Sequence, residues 1–252
     1  MNLLNDIPYS ALHLYLTAPY SCSYLPDVQA RSQVATPTFL INSAVYSELV
    51  LQGFRRSGTH TYRPHCNSCN ACVPLRVMAK EFSANRSQRR AWNKHSNLEA
   101  TLQPLQDNPD HYNLYQRYQN ARHKNGGMDK EDRESYQNFL LQSHVDSILV
   151  EFREQGLLRM VSVIDLLNDG LSSIYTFFEP DLPNTSFGIY NVMWQIELCR
   201  KLDMEFVYLG YWIARSRKMS YKTQYRPAQG LINGIWVDSN GFNPGQTESN
   251  SK

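Results

Sequence analysis

Apolar and polar positions first alternate at Leu12, Leu14 and Leu16, with His13 and Tyr15 between them, and Pro19 closes the run. A period of two predicts a strand there. Residues 42–52 (NSAVYSELVLQ) predict a short helix, capped by Asn42 or Ser43 and stopped by Gly53. A polar, basic stretch covers residues 80–97, in which Arg86, Arg90 and Lys94 share one face if it is helical. In the second half, 98–104 predicts a strand. Two helices follow, over 110–123 and 129–143, the second with acidic residues in its first turn. The paired glycines of HKNGGM (123–128) separate them. Three strand-like runs, 146–152, 157–167 and 171–180, are divided by short EQG and NDG turns and predict an antiparallel meander. A helix from Ile189 to about Leu202, a buried strand over 204–213, a basic helix over 215–225 and a strand over 230–237 complete the pattern.

Helices and strands in this order predict an α+β layered domain over residues 96–240. The order is similar to that of GNAT-like acyltransferases, in which a ligand enters where two central strands splay apart. Residues 1–95 form a separate N-terminal unit in this division, and 241–252 a polar tail expected to be disordered.

Composition narrows the class. No run of about 20 apolar residues is present to span a membrane. The first residues, MNLLNDIPYSALHLYL, have neither a basic leader nor a small-residue cleavage site. A cytoplasmic protein is expected, and nothing demands more than a monomer. Net charge is only +2, but residues 1–95 carry ten Lys/Arg against four Asp/Glu. A basic half fits contact with nucleic acid or an acidic peptide as well as it fits a solvated surface.

The richest chemistry lies in residues 53–76, GFRRSGTHTYRPHCNSCNACVPLR. Cys66, Cys69 and Cys72 are spaced C-x2-C-x2-C, too close for a disulfide framework. With Cys22 they could complete a structural zinc site or hold an iron–sulfur cluster; the alternative is reduced thiols packed as small apolar groups. His65 is a substitute ligand, and Cys199 a core residue. Around the cysteines stand Arg55, Arg56, Arg63 and Arg76, whose guanidinium forks suit carboxylates. Each is equally suited to an internal ion pair. Arg86, Arg89, Arg90 and Lys94, interleaved with Trp92, read as a phosphate-tracking strip or as an exposed connecting helix.

Seven stretches together carry a more specific signal: CSYLPDVQAR (22–31), GFRRSG (53–58), YRPHCNSCNACVPLRV (62–77), NRSQRR (85–90), RHKNGGM (122–128), SFGIYNVMWQIELC (186–199) and YLGYWIARSRKMSYKTQYRP (208–227). The chain resembles the bacterial aminoacyl-tRNA–protein transferases of the N-degron pathway, relatives of the eukaryotic arginyltransferases. Within that family it is most similar to the leucyl-transferring branch. The resemblance implies transfer of leucine from leucyl-tRNA to the α-amine of proteins beginning with Asp or Glu, which marks them for degradation. The ester is already activated, so the chemistry requires no cofactor. Of the family's eukaryotic cysteine pattern, a paired motif and an adjacent Cys-Cys, this chain has only the lone Cys22 and the spaced trio.

Under this resemblance the N-terminal unit is a degron-binding domain packed on the GNAT-like domain. Arg55, Arg56, Arg63 and Arg76 become candidates for the acidic side chain, with Tyr24 as a wall. Arg86, Arg89, Arg90, Lys94, Arg215, Arg217, Lys218 and Lys222 become candidates for tRNA phosphates. Ser186-Phe187-Gly188, opening a helix, is placed to accept a phosphate of the tRNA 3′ end. Tyr190 and Tyr208 are candidate oxyanion donors, and Glu179 or Asp165 a candidate base. An α-amine has a pKa of about 7.7–8.0, so positioning is expected to matter more than a strong base. Met193 and Trp194 either line a leucine pocket or belong to the core. The competing readings are an arginyltransferase, an acyl-CoA-dependent acetyltransferase, and a non-enzymatic, metal-bearing RNA- or degron-binding module.

Overall fold

A computed structural model describes residues 11–122 and 132–239, with Arg217 and Lys218 described by backbone alone. The first half runs β1 (His13–Leu16), β2 (Tyr20–Ser21), β3 (Gln29–Ala30), β4 (Ser32–Thr36), α1 (Ser43–Leu51), β5 (Arg55–Ser57), β6 (His60–Pro64), β7 (Val73–Met78) and α2 (Arg86–Lys94). Next come β8 (Glu99–Gln103), α3 (Pro109–Arg122), α4 (Arg133–Tyr136) with a π-helical turn at Gln137–Leu141, β9 (Ser147–Glu154), β10 (Leu157–Leu166) and β11 (Gly170–Phe178). The chain ends with α5 (Phe187–Lys201), β12 (Phe206–Trp212), a 3-10 helical stretch Arg217–Gln224, β13 (Ala228–Ile232) and β14 (Ile235–Asp238).

Local chemistry explains the helix boundaries. The Asn42 side chain accepts from the Val45 N–H at 3.0 Å and starts α1. Gly53 (φ +85°) ends that region, and a Cβ there would lie 2.9 Å from Pro74 Cγ. A reciprocal capping box starts α2: Asn85 Oδ1 accepts from the Gln88 N–H at 3.0 Å, and Gln88 Oε1 accepts from the Asn85 N–H at 2.8 Å. The basic segment after Arg215 winds as a 3-10 helix rather than the expected α-helix. Pro227 disfavours helical angles at Arg226 and keeps the segment short. The single strand expected over 230–237 is a hairpin, because Asn233 and Gly234 both adopt positive φ, as tight hairpin turns require.

An eight-stranded mixed sheet, in the order β14-β13-β7-β12-β11-β10-β9-β8, organises the chain. The expected meander is present as β9, β10 and β11. β7, from within the arginine- and cysteine-rich stretch, pairs antiparallel with both β12 and β13, so main-chain hydrogen bonding crosses residue 95. A smaller sheet has the order β1-β4-β6-β5, and β2 pairs with β3. β1 forms as expected, but Leu14 and Leu16 are 39% and 44% exposed, so its alternation does not mark a core face.

Side chains alternate across the large sheet. Leu75, Val77, Val150, Phe152, Val207 and Leu209 pack beneath α5. Residues of opposite parity face the other way. Tyr208 meets Tyr46, Leu49 and Phe54 of the N-terminal half, while Leu149 and Phe177 meet Leu114, Tyr115, Tyr136 and Leu140. The segment 123–131 and the tail 241–252 lie outside the described residues, as does the start of the helix expected over 129–143. Among the described residues, no helix is long and apolar enough to cross a membrane.

Candidate functional site

β11 and β12 are parallel and are joined through α5. They pair only at Gly170–Phe206, Leu171–Val207 and Ser172–Tyr208, then continue to Phe178 and Trp212 as unpaired neighbours. The ladder between β12 and β7 also shifts register between Tyr208 and Gly210. The result is a wedge-shaped opening in the middle of the sheet.

Arg55 from β5 fills the root of that opening. Its Nη2 donates to the Ser173 carbonyl at 2.5 Å, with the Ile174 carbonyl at 3.5 Å. Gly210 (φ +72°) accommodates it, since a Cβ there would lie 1.8 Å from Arg55 Nη1. A small cleft beside it is lined by Phe54, Arg55, Pro74, Ser172 and Gly210. Among the described residues Arg55 has no carboxylate at ion-pair distance.

The neighbouring Arg56 has the opposite situation. It is buried and forks onto Asp165, Nε to Oδ2 at 2.7 Å and Nη2 to Oδ1 at 2.6 Å. Burial disfavours its charge, but Asp165 outweighs this and raises its pKa. Arg56 and Asp165, expected as a substrate contact and a base, thus neutralise each other inside the protein. Arg76 is also buried. It donates to Gln229 Oε1 and to the Tyr208 hydroxyl, stands 3.8 Å from Asp169, and lies over the Phe206 ring at 3.6 Å. Arg63 donates to Gln33 and to the Gln52 carbonyl and lies over Phe54.

Lys222 was expected to contact phosphate, yet only 7% of it is exposed, and its Nζ donates to the Tyr211 carbonyl at 2.7 Å. Burial and the Arg55 charge lower its pKa to about 7. Tyr24, Tyr62, Tyr211 and Tyr221 all lie within electrostatic range of Arg55. Tyr24 and Tyr221 are 44% and 42% exposed, and burial of their hydroxyl ends raises both pKa values.

The four cysteines gather nearby as partly buried free thiols. Burial, then the proximity of Cys66, Cys69 and Cys22, pushes the Cys72 thiol up to about 12. Cys66 Sγ reaches the Arg31 carbonyl at 3.8 Å. Among the described residues, no three His, Cys, Asp or Glu side chains converge closely enough to hold a metal ion. The thiols therefore share a region without closing around one point.

On the α5 side of the sheet, two stretches considered separately come together. Trp92 stacks on Tyr190 and His95 on Phe187; Lys94 Nζ donates to the Asn184 carbonyl at 2.8 Å. The basic helix α2 thus lies alongside the start of α5. Arg86, Arg89, Arg90 and Lys94 are all exposed, although Arg89 also reaches the Ala84 carbonyl. Ser186 is exposed, takes a left-handed conformation and supplies no side-chain cap. A Cβ on Gly188 would meet only Phe178, at an ordinary 3.9 Å, so internal packing does not demand that glycine. Arg215 is exposed; the side chains of Arg217 and Lys218 are not described.

The expected catalytic residues are dispersed. Tyr208 faces the α1 side and donates to Asp169 at 2.7 Å, which together with burial raises its pKa. Tyr190 packs on the α5 side, where burial raises its pKa. Glu179 is gripped by Arg117 at 2.6 and 2.8 Å. Burial raises its pKa, but the Arg117 hydrogen bonds outweigh this and keep it below the usual carboxylate value. Met193, Trp194 and Cys199 belong to the core.

The residues missed from sequence are Gly210, Tyr62 and Tyr211. Gly210 carried a readable signal, an isolated glycine inside an apolar strand, which marks a bulge or a close approach.

Comparison with known proteins identifies the family. Residues 20–90 match the model for the N terminus of arginine-tRNA-protein transferase, and residues 110–232 the model for its C terminus. An aspartate/glutamate leucyltransferase from Nitrosospira multiformis is 59% identical over 94% of both chains. Proteins of the same name from Polynucleobacter asymbioticus and Thiobacillus denitrificans are 51% and 53% identical, covering 94% and 91% of this chain and 98% and 95% of theirs. Among solved structures, L-PGS from Bacillus licheniformis aligns over 70% of this chain and 63% of its own with a TM-score of 0.48 and 11% identity, too distant to assign a fold. Matched by models of both halves and by relatives sharing more than half of its residues along nearly their whole length, the chain belongs to the arginine-tRNA-protein transferase family.

Proposed function

We propose that this protein transfers the leucyl group of leucyl-tRNA to the N-terminal α-amine of proteins beginning with Asp or Glu, and so marks them for degradation. The observation that carries this reading is end-to-end similarity to proteins named aspartate/glutamate leucyltransferase. The second half then works as a GNAT-like acyltransferase domain, with the opening between β11 and β12 as the meeting place of donor and acceptor. The divergence of these parallel strands after Ser172 and Tyr208 supports that assignment.

The acceptor enters past Tyr24, and Arg55 receives its acidic side chain. Arg56 and Arg76 already have carboxylate partners; Arg55 and Arg63 have none among the described residues, and of these two Arg55 reaches β11 at the opening. Arg63 flanks the N-terminal wall. The tRNA lies along α2, with its 3′ end near Ser186 and Gly188; the exposed basic face supports this placement. The deprotonated α-amine attacks the ester carbonyl carbon. A C–N bond forms, the bond from that carbon to the terminal ribose oxygen breaks, and the proton lost by the amine neutralises the departing alkoxide. Alignment of the two substrates supplies much of the acceleration, since the ester is activated beforehand.

The family models carry the arginyl name, so the donor is the point to test. Charged leucyl- and arginyl-tRNA are offered with peptides beginning Asp, Glu, Arg or Ala. Leucine on the Asp and Glu peptides alone is expected. Transfer of arginine instead overturns the donor; no transfer by folded, thiol-reduced protein overturns the reaction.

A further inference from the structure

Two basic side chains that reach β11 and β12, the half-buried Arg55 and the buried Lys222, lack an anion. Buried charges ordinarily carry a partner. Arg56 has Asp165 at 2.6 Å, and Arg76 has Asp169 at 3.8 Å. Neither Arg55 nor Lys222 has a carboxylate at ion-pair distance among the described residues. The charged and titratable groups acting on Lys222 are Arg55 from β5 and Cys72 from the loop before β7, while β12 supplies only the Tyr211 carbonyl. Cys72 is a free, partly buried thiol. Lys222 uses one of its three donors on Tyr211, so two remain for a ligand.

We propose that Lys222 is the second cation, with Arg55, of the subsite that receives the side-chain carboxylate of the acceptor's first residue, and that it sets the preference for Asp and Glu over Asn and Gln. This rests on the transferase reading above and moves Lys222 from the tRNA to the acceptor. The two cations differ in kind. Arg55 is fixed by the Ser173 carbonyl and is permanently charged. Lys222 is held near neutrality by burial and by Arg55. An arriving carboxylate favours its protonated form, so acidic residues are bound together with a proton while their amides are not. Tyr24 and Tyr221, near Arg55, are 44% and 42% exposed, so this region lies close to the surface.

The experiment measures equilibrium binding of two peptides that differ only in a first residue of Asp or Asn, beside leucyl transfer to each. Calorimetry of the wild-type protein at pH 8, in buffers of different ionisation enthalpy, gives the proton uptake. The Asp peptide is expected to take up roughly half a proton or more beyond the Asn peptide. Each peptide's own α-amine, whose pKa is higher in the Asp peptide because of the adjacent carboxylate, is titrated separately and its contribution subtracted. Lys222→Met is expected to raise the KM of the Asp peptide at least tenfold, with kcat within about threefold, and to erase the excess uptake. Lys222→Arg is expected to keep the Asp preference and lose the uptake. Equal uptake for both wild-type peptides, or an unchanged Asp-to-Asn ratio in folded Lys222→Met, overturns the proposal, and the wild-type uptake decides it if the variant does not fold. Loss of the reaction with the binding preference intact instead refutes the transferase reading and leaves the subsite standing.

Discussion

Replacing Asp165 by Asn removes one charge and almost no volume from the pair that pins β5 to β10. Arg56 and Asp165 have side chains only 2% and 0% exposed. Arg56 also donates to the Gly58 carbonyl and Ser147 Oγ, and Ser147 donates to Asp165 at 2.7 Å. The variant leaves the guanidinium buried without its counter-charge. Breaking a buried pair in this way costs about 3–5 kcal/mol, against a total stability for most proteins of about 5–15 kcal/mol. With a urea m-value of about 2–3 kcal/mol/M, the unfolding midpoint falls by roughly 1–2.5 M. Tryptophan fluorescence in a urea titration reads this directly. The double variant Arg56→Met/Asp165→Leu replaces the pair with apolar groups and is expected to recover most of the loss, because desolvation of the pair consumes much of its attraction. An unfolding free energy for Asp165→Asn within about 1 kcal/mol of wild type, at unchanged m-value, would refute the idea that this pair anchors the small sheet to the large one.

Further outcomes follow from other contacts. Gly210→Ala places a methyl group in the volume of the Arg55 guanidinium, at a positive φ that costs an alanine about 1–2 kcal/mol; thermal unfolding is expected a few degrees lower and kcat/KM for the Asp peptide at least tenfold lower, and an unchanged kcat/KM contradicts the placement of Arg55. Arg86→Gln/Arg90→Gln, on the exposed face of α2, is expected to raise the KM for leucyl-tRNA severalfold and to flatten its salt dependence, with no change in the KM of the peptide. Burial holds the His95 pKa below 6.5, so the unfolded chain binds more protons as pH falls through 6.5. Stability is expected to drop there, and His95→Gln to remove that part of the pH dependence in denaturation titrations.

Local patterns were legible where they were strong. The β9–β11 meander has long apolar runs and short turns, and α1 and α5 have clear apolar content with defined ends. Apart from β1, the strands of the N-terminal half were not legible, because β4, β5 and β6 are at most five residues long and arginine or proline interrupts β5 and β6. β7 is hidden by Pro74 and Arg76, and its place between β12 and β13 depends on pairing more than a hundred residues away. The same limit applies to the candidate site. Composition singled out four arginines, but only sheet pairing separates Arg55, facing the opening, from Arg56, locked onto Asp165. Lys222 looked like one more surface cation in a basic segment, and its burial arises from the turn of the 3-10 stretch back against β12.

The central claim is that Arg55, at the root of the opening between β11 and β12, receives the acidic first residue of the acceptor. The measurement that tests it most directly is the steady-state kinetics of leucyl transfer by Arg55→Gln to Asp and Asn peptides, on protein shown to be folded by circular dichroism. A charge-assisted hydrogen bond is worth about 1.5–3 kcal/mol, so kcat/KM for the Asp peptide is expected to fall roughly 10- to 150-fold, with little change for the Asn peptide. An Asp-to-Asn preference equal to that of wild type would place acid recognition elsewhere and contradict the account.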